Sequence, residues 1–258
     1  MLRLFFNLSI ISLLVVVTSC FKEDEAVTPH KPGNYVTDTV ALTDSYKNQV
    51  YYNLHDSLAV STVLKSSWDL GFECSPLGWR VILNSASFMK SAYLEGQVFG
   101  SAADTTGAKW IFNPSDGSAD SLAIGKWFTI SGNDTIGTNR LMVIDREMDE
   151  FGESLGFCQL VIDSLANGIY YFRVAALDGK NPKSYAVSKI SGNNHALFSI
   201  TNPASKVSEP GNTSWDLLFS QYTTLLFTDV GEPYPYLVTG VLLNNRFVEE
   251  AVDSVTPF

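Results

Sequence analysis

Two carboxylates stand in the same unusual sequence context and are the first candidates for chemistry. The segments SWDLGF and SWDLLF each place an Asp directly after a Trp, and Trp, Leu and Phe alternate onto one face of a predicted strand. Paired carboxylates can act as general acid and general base. No basic residue stands at a matching offset, so we interpret both Asp residues as structural acceptors of backbone hydrogen bonds. The residues concerned are Trp68, Asp69, Trp215 and Asp216.

Side chains that could ligate iron are few. His30 lies close to the amino terminus, while His55 and His195 lie in predicted polar loops, where a solvated ring is the simpler interpretation. Met142 alternates with Ile144 and is predicted to fill a core. The remaining candidates, Met89 and Met148, lie at the end of a strand and in an acidic loop.

Motifs of common enzymes are absent from the sequence. It contains no H-E-x-x-H, G-x-S-x-G, G-x-G-x-x-G or P-loop pattern. The acidic stretch from Asp145 to Glu153 begins like a calcium loop, but Glu150 replaces the required Gly and Gly156 replaces the closing Glu. We predict a solvated hairpin there and expect a protein that is not an enzyme.

The thiol of Cys20 has the clearest chemical prediction. Arg3 precedes an apolar run from Leu4 to Val17, which is shorter than the roughly 20 residues of a membrane-spanning helix. Val17-Thr18-Ser19-Cys20 resembles a bacterial lipobox, and no A-x-A-like site supports an ordinary secretory signal instead. We predict a signal peptide over residues 1–19, acylation of Cys20 with palmitate-type chains, and a lipid anchor in an outer membrane.

The residues after Cys20 predict a flexible tether over 20–34. They are charged and turn-forming, without periodic apolar positions, and the charged patch resembles the signal that sends some lipoproteins to the cell surface. The net charge of −10 argues against nucleic acid as a partner. The expected partners are therefore the membrane, through the lipid, and a surface ligand.

Besides Cys20 the chain has two cysteines, Cys74 and Cys158. The predicted export would place them in an oxidising compartment, where a disulfide is permitted. Each lies on the apolar face of an alternating segment, and neither has C-x-x-C spacing. We favour buried free thiols over a bridge.

Period-two alternation rich in Val, Ile, Tyr, Phe, Trp and Thr predicts an all-β fold with mainly antiparallel sheets. A short turn is predicted over Ala119–Ile124 and a helix-like run over Arg246–Val252. The body is predicted as one β domain over 35–258, with a second repeat-like half from about residue 184. The chain stops without a closing strand, which predicts a truncated carboxyl end. The predicted strands are 49–53, 67–74, 79–84, 108–112, 127–130, 140–144, 156–162, 169–177, 184–190, 196–201, 214–223 and 236–242.

The Trp-Asp-Leu-x-Phe strand, the preceding aromatic strand VYYNL, the GKW entry at Trp127 and the ladder GFCQLV together resemble the HmuY-like family of haem-binding lipoproteins. The resemblance covers about residues 35–177, and the second Trp-Asp-Leu copy suggests a long branch of that group. It implies a surface lipoprotein that acquires haem for an outer-membrane receptor. It also implies two His or Met axial ligands.

The implied ligand positions do not carry over to this chain. Neither the stretch after Trp127 nor the stretch from Gly96 to Asn113 contains His or Met. The weak candidates for haem ligation are Met142, Met148, His195 and His55.

Two functions are consistent with the sequence. The first is a non-catalytic haem-binding surface lipoprotein for iron acquisition. The second is a non-haem surface lipoprotein that binds glycan or protein, or serves as an assembly component, with exposed rings stacking on its ligand. The rings near loops are Trp79, Trp110, Tyr222, Tyr234 and Tyr236.

Overall fold

The structure is a computed structural model that describes residues 37–131 and 134–250. The segments predicted as signal peptide and tether lie outside the described residues, with Cys20 and His30, as does the chain end beyond Glu250. None of the helical segments in the described part is long and apolar enough to cross a membrane. Residues Asp38–Ala251 belong to one compact unit.

The regular secondary structure of the described residues is mainly antiparallel β-strand, and the all-β prediction is confirmed. Short 3-10 segments lie at Asp44–Tyr46, Lys65–Ser67, Ser85–Ser87 and Ala119–Ser121, the last within the predicted turn. The strands are β1 (Asn48–Asn53), β2 (Leu58–Leu64), β3 (Leu70–Glu73), β4 (Val81–Leu83), β5 (Lys90–Tyr93), β6 (Ile111–Phe112), β7 (Phe128–Ser131), β8 (Asp134–Gly137), β9 (Met142–Asp145), β10 (Phe157–Ala166), β11 (Ile169–Ala176), β12 (Lys183–Ser188), β13 (His195–Phe198), β14 (Leu217–Phe227) and β15 (Pro233–Leu243).

Three strands and one helix differ from the sequence prediction. Strands β2, β5 and β8 were not predicted. Strand β2 lies at a sheet edge and has no regular alternation of buried residues, so its sequence lacks the period-two pattern on which the prediction depends. The prediction of a helix-like run from Arg246 is wrong for residues 246–250, because residues 245–247 form a turn and 248–250 are irregular. In that turn, the N–H groups of Phe247 and Val248 donate to the carbonyl of Asn244. The rest of the predicted run lies outside the described residues.

The strands form three sheets. Sheet A has the order β15-β14-β1-β2, and sheet B has the order β13-β3-β4. Sheet C runs β12-β11-β10-β9-β5-β6, and β8 joins β7 to β10. Strands that follow residue 184 enter all three sheets, so sheets A and B each combine strands from both predicted halves.

The main core lies between sheet B and sheet C. Leu70 and Phe72 of β3 are fully buried, and the ring of Phe72 lies 5.0 Å from that of Tyr170 and 4.9 Å from that of Phe172. Trp127 is also buried in this cluster, with its indole N–H donating to the carbonyl of Trp79 at 2.9 Å. Each large apolar side chain buried here contributes about 2 kcal/mol to stability.

Asp69 ties β3 to β13 and β4 through backbone hydrogen bonds. Its N–H donates to the carbonyl of Phe198 at 2.8 Å, and its carbonyl accepts from the N–H of Asn84 at 3.0 Å. Its carboxylate accepts from the N–H of Ile200 at 2.6 Å. The residue lies directly before β3 and not within the strand, so the mid-strand placement assumed from the sequence is wrong.

Asp216 makes the corresponding set of bonds in sheet A. Its N–H donates to Tyr52 at 2.8 Å, and its carbonyl accepts from Asn244 at 2.8 Å. Its carboxylate accepts from the N–H of Leu54 at 2.7 Å. Each aromatic strand therefore pairs with the Trp-Asp-Leu strand of the other copy: β1 with β14, and β13 with β3.

A buried Asn completes each Trp-Asp segment. The side-chain amide of Asn84 donates to the carbonyl of Trp68 at 2.8 Å, and that of Asn244 donates to the carbonyl of Trp215 at 2.9 Å. Both Asn residues are almost fully buried. Because a buried carbonyl without a partner is costly, these amides hold the entry to β3 and to β14 in place.

The two Asp residues differ in one contact. The second carboxylate oxygen of Asp69 accepts from the guanidinium Nε of Arg146 at 2.8 Å, and both side chains are buried. Arg146 also donates to the carbonyl of Leu155 at 3.1 Å and to the hydroxyl of Thr201. Among the described residues, Asp216 has no ion-pair partner.

Candidate ligand-binding groove

A groove with a cavity volume of about 710 Å³ lies where loops from distant parts of the chain meet. Ligand pockets usually have volumes of about 300–1,000 Å³, and the volume of this groove lies within that range. The lining comes from the loop after β3, the β10–β11 turn, the segments between β12 and β13 and between β13 and β14, and the turn after β15. The lining residues are Cys74, Ser75, Pro76, Gly168, Lys189, Ser191, Gly192, Asn193, Asn212, Arg246 and Phe247.

The charge of this lining is opposite to that of the protein. Lys189 and Arg246 are its charged residues, and no Asp or Glu is among the lining residues. The whole chain carries a net charge of −10. Glu73 and Arg80 lie next to the lining and form ion pairs there, but their opposite charges add no net charge. The positive charge of the lining therefore attracts anions.

Glu73 lies buried at the end of β3 and holds the loops around the groove. Its carboxylate accepts from the Ser75 hydroxyl at 2.8 Å and from the N–H of Arg80 at 3.1 Å, and it pairs with Arg246. Arg80 Nη1 lies 3.5 Å from the same carboxylate. Burial opposes ionisation, but the hydrogen bonds from Arg246, Ser75 and Arg80 and the charge of Arg246 lower the pKa of Glu73 to about 2.

Lys189 has a structural task in addition to its charge. Its ammonium donates to the carbonyls of Ser75 at 2.6 Å, Pro76 at 3.2 Å and Gly78 at 2.6 Å. Burial lowers the pKa of Lys189, while the negative charge of Glu73 opposes that shift. With all three N–H groups used, Lys189 supplies the groove with a fixed charge and not with a free donor.

Arg246 is the cation that remains available to a ligand. One third of its side chain is exposed, and one Nη donates to Glu73. Within residues 37–131 and 134–250, its guanidinium has no other hydrogen-bond partner. A guanidinium has five N–H groups in a planar fork, so Arg246 can bind a carboxylate of a ligand while still paired with Glu73. The neighbouring Phe247 is 53% exposed and offers an aromatic surface.

Both described cysteines are buried and free, which confirms the thiol prediction. Cys74 lines the groove, and its sulfur accepts from the N–H of Ile190 at 3.2 Å. Burial raises the pKa of the Cys74 thiol, and it raises that of Cys158 to about 12. Both thiols are therefore protonated at neutral pH in the ligand-free protein.

The four weak candidates for haem ligation lie on different elements. Met142 is buried in the core on β9, so its sulfur faces other apolar side chains and not a ligand site. Met148 is 44% exposed in the β9–β10 hairpin, where it pairs with Ser154. His55 is exposed in the β1–β2 turn.

His195 is the candidate whose strand follows the groove directly. It begins β13, two positions after Asn193 of the lining, opposite Glu73 in the register. Its N–H donates to the carboxylate of Glu209 at 2.6 Å, and its Nδ1 lies 3.6 Å from the same oxygen. The backbone around His195 is therefore tied to a buried acid.

The rings expected near loops fall into two groups. Trp79 packs against the main core and Trp110 against a second cluster. Tyr234 and Tyr236 are 41% and 53% exposed on β15, close to Phe227, which is 66% exposed. The exposed rings thus lie at the far end of the β14–β15 ribbon.

Across the described residues, no group of three or more His, Cys, Asp and Glu side chains could hold a metal ion. Comparisons with protein-family models, with curated proteins and with solved structures found no match to this chain. The groove is therefore the feature of this molecule that supports a function.

Sequence reasoning missed the groove. Glu73, Lys189 and Arg246 lie far apart in the chain and belong to no motif. One signal was present, because Glu73 is a charged residue within an apolar strand, and such a residue requires partners.

Proposed function

We propose that this protein is a non-catalytic surface lipoprotein that binds a small anionic ligand in the groove, and that haem is the ligand to test first. The observation that carries the proposal is a lining with two cations and no acid in a chain of net charge −10. The resemblance to HmuY-like lipoproteins selects haem among the ligands of this class. Haem has two propionates and a large aromatic face.

The groove offers partners for those two parts of haem. We expect the part-exposed guanidinium of Arg246 to bind a propionate and the exposed ring of Phe247 to stack on the porphyrin face. Neither His nor Met is among the lining residues. The Cys74 thiol of the lining is buried and its pKa is raised, so we expect recognition in this groove to depend on the carboxylates and the ring and not on coordination of the iron.

A porphyrin titration tests the proposal. The protein is the lipid-free mature chain, residues 20–258 with Cys20→Ser, titrated with hemin and, separately, with iron-free protoporphyrin. We expect a saturable change in the Soret band for both, with affinities within about tenfold of each other, because the carboxylates are common to both. His195→Ala is expected to leave both affinities unchanged. If neither porphyrin binds saturably, the haem proposal is wrong.

The exposed ribbon end supports a second candidate function, the binding of glycan or protein. Phe227, Val230 and Tyr236 are each more than half exposed there. Exposed apolar patches of this kind mark interaction sites.

The lipid anchor is part of the proposal and has its own test. Acyl chains on Cys20 would hold the acidic body at the membrane through the tether. We expect Cys20→Ala to abolish incorporation of labelled palmitate and to release the protein from the membrane fraction. Cys74→Ala is the matched control and should retain both properties. Unchanged labelling of Cys20→Ala would exclude the anchor.

A further inference from the structure

Strand β15 is a long edge strand without charged side chains. It pairs with β14 on one side, and among the described residues no strand lies on its other side. Its eleven residues, PYPYLVTGVLL, contain no charged side chain. Soluble monomers usually protect an edge with charged residues, prolines or a short strand, because open backbone groups pair with other strands.

Two hydrogen bonds show which residues of β15 face outward. The N–H of Thr228 donates to Glu232 at 2.9 Å, and the N–H of Asn244 donates to Asp216 at 2.8 Å. In an antiparallel ladder, residues bonded to the partner strand alternate with residues that are not. Since the register of β14 and β15 is continuous between these points, even-numbered residues of β15 bond to β14. Odd-numbered residues direct their N–H and C=O away from it.

The positions of the two prolines are consistent with this assignment, and they divide the outer edge of β15 into a closed part and an open part. Pro233 and Pro235 both occupy outward-facing positions, where the missing N–H costs no ladder bond. They close the outer part of the edge to pairing. The part that remains open has outward-facing backbone at Leu237, Thr239, Val241 and Leu243, and none of these has a further backbone partner within the described residues.

The open part of the edge is complementary to itself. In an antiparallel pair centred on Gly240, Leu237 lies opposite Leu243 of the second copy and Thr239 lies opposite Val241. This register uses every open position and leaves both prolines outside the ladder. Registers displaced to either side use fewer positions, or they place a proline opposite an open group.

From this geometry we propose that β15 pairs with β15 of a second copy, joining the two A sheets into one sheet. Charge favours this surface, because copies of net charge −10 repel one another and β15 has no acid of its own. An edge of this length buries less than the roughly 1,200 Å² of a standard stable interface, so the dimer is weak. Salt strengthens it by screening the repulsion.

Sedimentation velocity of the lipid-free mature chain tests the proposal with two matched variants. Val241 and Leu58 are 43% and 46% exposed on the opposite edge strands of the same sheet, so Val241→Lys and Leu58→Lys add the same charge at equivalent exposure. We expect the wild type and Leu58→Lys to dimerise between about 1 and 100 μM. Val241→Lys is expected to weaken the dimer at least about tenfold.

A proline variant tests the backbone contribution separately. Thr239→Pro removes an outward N–H at a position of the same parity as Pro233 and Pro235, so it leaves the β14 ladder intact and should abolish the dimer. Circular dichroism verifies that each variant is folded. A wild type that stays monomeric at every concentration would overturn the proposal. So would a folded Val241→Lys or Thr239→Pro that dimerises like the wild type, or a Leu58→Lys that loses the dimer equally.

Discussion

Replacing Asp69 with Ala is expected to lower the free energy of unfolding by about 3–5 kcal/mol, as for other buried ion pairs that lose one partner. The substitution leaves the guanidinium of Arg146 buried without its carboxylate, and it removes the acceptor for the N–H of Ile200. Urea unfolding followed by tryptophan fluorescence measures the change.

Asp216→Ala is the matched control, because Asp216 has the same backbone bonds and no ion pair among the described residues. Losing the carboxylate that accepts from Leu54 is expected to cost about 1–2 kcal/mol. Asp69 is also the more buried of the two residues, so the difference between the variants reports the ion pair with Arg146 together with that burial. Equal losses in both variants would show that the ion pair makes no special contribution.

Acidification is expected to destabilise the wild type through Glu73. The pKa of this carboxyl is about 2 in the folded protein against an ordinary value of 4.5. A lowered pKa stabilises the fold fully above the unfolded value, and this contribution is lost as the pH falls from 4.5 through 2. The difference in pKa corresponds to about 3 kcal/mol. Unfolding free energies measured at intervals between pH 6 and pH 2 would follow this loss.

Glu73→Gln supplies the control for the pH effect. The amide keeps the shape of the side chain but does not titrate, so the variant is less stable than the wild type at pH 6 and loses less stability on acidification. The two curves should converge by about 3 kcal/mol toward pH 2. Parallel curves over the whole range would contradict the assignment of this contribution to Glu73.

The positions of most strands can be predicted from the local sequence, but which strands pair with one another cannot. Alternation at Leu70 and Phe72 predicts a strand with one buried face, and the structure has it. The sequence echo places Tyr52 beside the first Trp-Asp segment, yet Tyr52 pairs opposite Leu217 of the second. The strand propensity of a local segment cannot predict that the aromatic strand of one copy pairs with the Trp-Asp-Leu strand of the other. This pairing depends on contacts between residues more than 150 positions apart in the chain.

The same limit applies to the charged residues. The sequence marks Asp69 and Asp216 as equivalent, and their backbone bonds are equivalent. It does not reveal that Arg146, at the end of a strand in another sheet, reaches Asp69. Likewise, Lys189 and Arg246 come together with Glu73 only because loops from separate strands meet at one place.

The most direct test of the groove compares two arginines that share Glu73. Arg246 lines the groove, whereas Arg80 pairs with the same carboxylate and is not among the lining residues. Protoporphyrin affinities are measured for Arg246→Gln and Arg80→Gln in the lipid-free mature chain. We predict that Arg246→Gln weakens binding at least about tenfold and that Arg80→Gln changes it by less than about threefold. Equal affinities for the two folded variants would contradict ligand binding in this groove.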